Sequence, residues 1–151
     1  MPTTSIDLEF GDGRYTFALK PHGINEMQEK CGIGIGGLFA RVLQGRFVAA
    51  DGIEYGSHAD AAYKLVDLTE TIRQGLIGGG QGEADGQEVK VTSLVANRLV
   101  ENYVANAPLA QSWALAASIL SALIEGYDPP KKKADVNEAS EPTDGSTTLD
   151  I

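Results

Sequence analysis

The stretch IDLEFGDGRYTFAL, residues 6–19, alternates apolar and polar residues on both sides of a central Gly-Asp-Gly. This alternation around turn residues predicts a β-hairpin at the start of the fold. A two-residue turn at Asp12 and Gly13 would set the register. The predicted cross-strand pairs are Phe10 with Tyr15, Leu8 with Phe17, and Ile6 with Leu19, all on one face. Because a lone hairpin is marginal in water, we expect this apolar face to cover helices or another chain.

After the hairpin the apolar residues change to helical spacing, which predicts about five helices. Glycines or an asparagine end them, and Thr92 and Pro108 begin the last two. The predicted helices carry Ile24, Met27, Gln28 and Cys31 up to Gly32; Leu38, Phe39, Val42 and Leu43 up to Gly45; Ala61, Leu65, Leu68, Ile72 and Leu76 up to Gly78, Gly79 and Gly80; Val95, Leu99, Val100, Tyr103 and Val104 up to Asn106; and Leu109, Trp113, Ala116, Ala117, Leu120, Leu123 and Ile124 up to Gly126.

The segments between these helices are rich in turn residues. We interpret residues 47–50 as a short strand or an irregular edge, with turns at Asp51, Gly52 and Gly56. Residues 78–88 are polar and glycine-rich, which favours a flexible loop.

The resulting prediction is an α+β, mostly α fold, in which an N-terminal β-hairpin is followed by about five helices. Residues 1–128 form a single domain in this interpretation, since 151 residues suit one core. Residues 129–151 contain few large apolar side chains and cannot offset their ordering entropy, so we expect a disordered acidic tail.

Composition excludes some classes of partner. The formal net charge is −9, which disfavours nucleic acid because phosphate binding needs a concentrated basic surface, and the basic run Lys131 to Lys133 lies in an acidic segment. Cys31 is the single cysteine, so an internal disulfide cannot form and a cytoplasmic location is expected. No export signal and no apolar run long enough for a bilayer is visible, so we expect no membrane partner.

The sharpest motif is Gly32-Ile33-Gly34-Ile35-Gly36-Gly37, which satisfies G-x-G-x-x-G. A dinucleotide loop needs a preceding buried strand, whereas a helical pattern precedes this one. We therefore favour a hinge between two short helices over a nucleotide-binding enzyme.

Other candidate chemistry is equally sparse. His22, His58 and Cys31 are too far apart in sequence to indicate a metal site. No nucleophile-elbow pattern surrounds any of Ser57, Ser93, Ser112, Ser118 and Ser121. We therefore expect no enzymatic activity, no catalytic, cofactor-binding or metal-binding residues and no cofactor, and the sequence identifies no partner-binding residue.

Two further features have structural interpretations. Asp67, Glu70 and Arg73 follow one another at i+3 spacing, which we interpret as a solvated helical face with an exposed ion pair rather than an acid/base set. Trp113 could anchor an interface, but its place within the apolar stripe of the last helix favours the core.

Several segments resemble the gene transfer agent family of phage tail assembly chaperones. They are residues 67–80 (DLTETIRQGLIGGG), residues 99–104 (LVENYV), Pro108-Leu109 and the alanine-rich residues 116–126, with the hairpin and residues 36–40 similar as well. The resemblance extends from about Ile6 to Tyr127.

The resemblance implies a non-enzymatic tail assembly chaperone without a cofactor. Its expected partners are phage-like tail proteins, the tape-measure protein foremost, and self-association stays open. The alternative is a structural tail component, such as a tube or adaptor subunit. Some descriptions of the family name a tail tube protein, but a tube subunit would contain long strands and this chain is mostly helical after Leu19.

Overall fold

The computed structural model describes residues 2–44, 47–48, 54–55 and 62–129. It confirms the α+β, mostly α fold with an N-terminal hairpin and five helices. In chain order the elements are β1 (Ser5–Phe10), β2 (Gly13–Ala18), α1 (Pro21–Cys31), α2 (Ile35–Leu43), β3 (Phe47–Val48), β4 (Glu54–Tyr55), α3 (Leu65–Gly79), β5 (Gln81–Ala84), β6 (Gln87–Lys90), α4 (Ser93–Tyr103) and α5 (Leu109–Glu125).

The first hairpin forms, but its predicted register is wrong by two residues. Gly11 and Asp12 make the loop, so that Phe10 pairs with Gly13 and Leu8 pairs with Tyr15. Gly11 has a φ of 60°, which the first loop position of a type II′ turn requires and which glycine adopts without strain. Because the shift is an even number of residues, the predicted apolar residues still share one face.

The predicted flexible loop over residues 78–88 is also wrong, because β5 and β6 form a second hairpin there. Its loop is Asp85-Gly86, with φ of 54° and 74°, as in a type I′ turn. β5 pairs with β2, which gives a four-stranded sheet in the order β1-β2-β5-β6. A second, two-stranded sheet contains β3 and β4, so residues 47–48 form a short strand, which was one of the two interpretations of residues 47–50.

The triple glycine at the end of α3 explains how this helix lies so close to β2. A Cβ at Gly78 would collide with the carbonyl oxygen of Ala18, and one at Gly79 with that of Thr16. Gly80 then ends α3 with a φ of 70°, as predicted.

The predicted apolar faces of the helices are buried in the middle of each helix but exposed at some helix ends. Leu65, Leu109 and Ile124 were predicted to face the core but are 60%, 48% and 44% exposed. Each lies in the first or last turn of its helix, where the neighbouring element no longer covers it. The fourth helix ends at Tyr103 rather than near Asn106.

Some predictions fall on residues outside the described ranges. They are the helix end at Gly45, residues 49–50, the turns at Asp51, Gly52 and Gly56, the positions of Ser57 and His58, and the tail apart from Pro129. Ala61 lies outside these ranges too, but its predicted place in the third helix is wrong, because residues 62–64 are not helical and α3 begins at Leu65.

One hydrophobic cluster joins the sheet to the helices. The inner face of β1 and β2 packs on α3 and α5, while α1 packs on α3 and α2 packs on α5. The apolar plate of the hairpin thus covers helices, as predicted. The segment before β1 pairs with the segment after α5, where Thr3 N donates to Tyr127 O (2.9 Å) and Tyr127 N donates to Thr3 O (2.8 Å). None of the described helices is both long enough and apolar enough to span a bilayer.

Candidate partner-binding surface

A buried ion pair fastens α1, α2 and α3, and it corrects the prediction that Asp67 is solvated. The Asp67 side chain is fully buried, and Arg41 donates to it from Nε (2.9 Å) and Nη2 (2.8 Å). Arg41 also donates to the carbonyl of Cys31 (3.1 Å), and Asp67 accepts from the backbone N–H of Lys64 (2.7 Å). Both oxygens of Asp67 therefore have donors, and the pair starts α3 rather than performing chemistry.

The predicted solvated position of Glu70 is likewise wrong. This carboxylate is 5% exposed and accepts from Arg73 (two bonds of 3.1 Å) and from Gln74 (2.9 Å), with Lys30 at 3.6 Å. Burial opposes ionisation, but the hydrogen bonds from Arg73 and Gln74 outweigh it and lower the pKa of Glu70. The i+3 pair exists, but the packing of α1 against α3 encloses it.

The glycine motif is a hinge between two helices, as predicted. Gly32 ends α1 with a φ of 70°, and α2 begins after Gly34. The Gln28 side chain accepts from the backbone N–H of Ile35 (2.9 Å), so one amide that a phosphate would need is already bonded. A helix, not a buried strand, precedes the motif.

The remaining candidate residues do not converge. Cys31 is buried in the core, and burial, together with the nearby Asp67, raises the pKa of its thiol to about 12. His22 is exposed and lies 3.1 Å from a carboxylate oxygen of Glu26. Within the ranges that the structure describes, no three His, Cys, Asp or Glu residues cluster as metal ligands would.

Trp113 belongs to the core, as predicted. It is 5% exposed, and its indole N–H donates to the carbonyl of Val42 at 2.6 Å. This bond ties α5 to α2.

A groove of about 730 Å³ lies between the end of β1 and the start of α5. Its apolar walls come from Leu8, Phe10, Tyr103, Ala107, Pro108, Ala114 and Leu115. Polar side chains at its rim are Glu9, Asn102, Asn106, Gln111 and Ser118. Apolar walls with a few polar groups are typical of a surface that binds another molecule.

Tyr103 forms one wall of this groove because the hairpin holds its ring. Phe10 meets it edge to face, with ring centroids 6.0 Å apart. A Cβ at Gly11 would lie 2.5 Å from the Tyr103 ring, so the hairpin loop packs against α4 through a residue without a side chain.

Ser112 lies at the base of the same groove and is 4% exposed. Its hydroxyl forms no hydrogen bond with the described residues, whereas the hydroxyl of Ser118 donates to the carbonyl of Ala114 (2.9 Å). A buried hydroxyl without a partner costs free energy. It is therefore a position at which a bound molecule can supply the missing partner.

Sequence reasoning missed this groove. Ser112 was considered only as a nucleophile, and no elbow pattern supports that role. One signal was available: Ser112 precedes Trp113 and lies one helical turn before Ala116, so a polar residue enters the buried stripe of α5. The β1 edge gave no signal, because strand order cannot be derived from one hairpin.

Comparison with known proteins gives a match to a family model. Residues 3–55, the first third of the chain, match the family model described as phage tail tube protein, GTA-gp10. No curated protein and no solved structure matches the chain. The matched region contains β1 to β4 with α1 and α2, and so includes the strand beside the groove. Over this part, the chain is similar to a tail protein family of phages and gene transfer agents.

Proposed function

We propose that this protein is a tail assembly chaperone, which binds another phage-like tail protein in the cytoplasm without catalysing a reaction. The expected partner is the tape-measure protein. The observation that carries the proposal is the groove at β1, which lies partly inside the region that matches a tail family. Its apolar walls suit reversible coverage of an apolar segment before the tail encloses it.

Charge supports a role in keeping such a complex soluble. The chain carries a net charge of −9, and a strongly charged coat opposes association between coated complexes. The buried cysteine and the matched ion pairs have structural roles, which agrees with a protein that binds rather than catalyses.

The test is co-expression with the tape-measure protein of the same gene cluster. We expect the two proteins to co-purify and the soluble fraction of the tape-measure protein to rise. Two matched variants locate the contact: Leu115→Gln changes the groove wall, and Leu94→Gln makes the same change at a leucine that is 73% exposed elsewhere. Only Leu115→Gln should reduce co-purification. Absence of binding and of any gain in solubility with the unchanged protein would refute the chaperone role.

The second candidate is a structural tail component, which the description of the matching family favours because it names a tail tube protein. The strands weigh against it, since the longest in the described part of the chain have six residues. Mass spectrometry of purified particles separates the two. Many copies per mature particle would favour a structural component, and absence from particles would favour a chaperone.

A further inference from the structure

Within the described part of the chain, the first strand has a free edge. β1 is at one end of the sheet order β1-β2-β5-β6, and β2 pairs with it along residues 5–10. On its other side the described residues provide only the bridge between Thr3 and Tyr127, which precedes the strand. An edge of this length presents unpaired backbone groups to any chain that can lie beside it.

The hairpin register shows which groups these are. Backbone bonding alternates along an antiparallel pair, and the residues that flank a two-residue loop bond to each other. Phe10 and Leu8 therefore bond to β2, whereas Asp7 and Glu9 direct their backbone groups outward. The Asp7 carbonyl accepts from Arg14 Nη2 (3.3 Å). The N–H groups of Asp7 and Glu9 point away from β2, toward the free edge of the sheet.

The groove lies next to this edge. Leu8, Glu9 and Phe10 line it from the strand, and the hydroxyl of Ser112, which has no partner among the described residues, lies at its base. We propose that an extended segment of the partner protein adds to the free edge of β1 and sends its side chains into this groove. This inference rests on the proposed chaperone function and deepens it, because it names the mode of binding.

The two faces of β1 define the chemistry of that segment. Leu8 and Phe10 face the groove, so the neighbouring side chains of an added strand are expected to be apolar on that face. Asp7 and Glu9 lie on the opposite face, and the Glu9 side chain is 86% exposed with Arg14 only at 4.0 Å. Lysine or arginine at alternate positions of the segment would complement them.

Charge also argues against a second copy of this protein as the strand that adds to β1. Two β1 edges side by side would bring four carboxylates together, and each chain carries −9 overall. Like charges opposite each other across strands are destabilising. The acidic residues thus discourage self-pairing and admit a basic strand.

The test compares proline at equivalent positions on the two edges of the sheet. Glu9→Pro removes an outward N–H from β1, and Glu88→Pro removes an outward N–H and the same charge from β6 at the other end. Proline is tolerated where the N–H faces away from the sheet. Overlapping synthetic peptides that tile the tape-measure protein of the same gene cluster serve as the probe.

We expect Glu9→Pro to weaken binding of the best peptide at least about tenfold, since proline cannot donate and obstructs an added strand, and Glu88→Pro to leave it unchanged. Glu9→Gln keeps the N–H and should weaken binding about threefold at low salt and less at high salt. Ser112→Ala should also weaken binding without lowering the stability of the free protein. In the complex, hydrogen exchange at Asp7 and Glu9 should slow, a measurement that needs no variant.

The failures are distinguishable. Equal peptide binding by Glu9→Pro and the unchanged protein, or no protection at β1 in the complex, would overturn strand addition while co-expression still supported a chaperone. Binding of the intact tape-measure protein without any peptide binding would do the same. Concentration-dependent protection of β1 in the free protein would identify a second copy instead. No binding in either experiment would remove both proposals.

Discussion

Cys31 is enclosed between α1, α2 and α3, and Arg41 donates a hydrogen bond to its backbone carbonyl. Alkylation requires that the reagent reach the sulfur and that the sulfur be ionised to the thiolate. Cys31 meets neither condition, because it is buried and its pKa is raised to about 12. We expect iodoacetamide to label Cys31 only at the rate at which the protein unfolds, and at once in denaturant. Rapid labelling in native buffer, followed by mass spectrometry, would contradict the enclosed position.

Glycines at two helical positions should respond in opposite directions to alanine. Gly79→Ala places a Cβ against the carbonyl of Thr16, and we expect the free energy of unfolding to fall by about 1–3 kcal/mol. Gly36 has nothing within 4 Å of its would-be Cβ, so Gly36→Ala should stabilise α2 by roughly 0.5–1 kcal/mol. Urea denaturation of both variants measures the difference. A neutral Gly79→Ala would show that α3 can move away from β2.

At the scale of elements, the pair between Arg41 and Asp67 joins α2 to α3. Asp67→Ala leaves a guanidinium that is 16% exposed without its carboxylate, and removing one partner of a buried pair costs about 3–5 kcal/mol. Asp7→Ala is the control, since Asp7 bonds to Thr16 on the exposed face of the sheet (2.7 Å). Thermal denaturation should show a large loss for Asp67→Ala and a small one for Asp7→Ala.

Acid should weaken the packing of α1 on α3. Because the folded protein lowers the pKa of Glu70 below its ordinary 4.5, the unfolded chain takes up the proton first as the pH falls. The contribution of Glu70 is therefore complete above about pH 4.5 and is lost as the pH falls through the lower, folded pKa. The difference in unfolding free energy between the unchanged protein and Glu70→Gln should therefore become smaller as the pH falls below about 4.5. A constant difference would contradict the lowered pKa.

The elements differ in how far the sequence predicts them, and the reasons are physical. Helices α1 and α5 were predictable because their stripes and end residues are local features. The turn at Asp12-Gly13 was a reasonable prediction, but in the structure Gly11 takes the positive φ and the loop is Gly11-Asp12. The β5–β6 hairpin was missed although Asp85-Gly86 signals a turn, because its strands are short and polar and are stabilised by pairing with β2.

The candidate site was less predictable than the fold. The burial of Asp67 and Glu70 depends on α1 and α2 lying against α3, which i+3 spacing does not contain. The groove requires β1, α4 and α5 to meet, and its hydroxyl at Ser112 stands out only because no group among the described residues bonds to it. Such juxtapositions arise from long-range packing, to which a single sequence gives little access.

For the molecule as a whole, one hydrophobic cluster predicts one cooperative unfolding transition. Trp113 is the single tryptophan and bonds to Val42 between α5 and α2, so its fluorescence reports tertiary packing. We expect the fluorescence and far-ultraviolet circular dichroism midpoints in urea to coincide. Separate midpoints would show that the helices around Trp113 unfold independently of the sheet, against a single domain over residues 1–128.

The bridge between Thr3 and Tyr127 has a consequence for biosynthesis. The ribosome makes β1 before α5, which packs on it, and before Tyr127, which pairs with Thr3, and about a hundred residues separate β1 from α5. Until α5 is made, the part of the hairpin that packs on α5 stays uncovered. The contact between β1 and α5 therefore forms only after the chain between them has been made, and joining residues 3 and 127 by circular permutation, with new ends at Asp85-Gly86, would reverse that order.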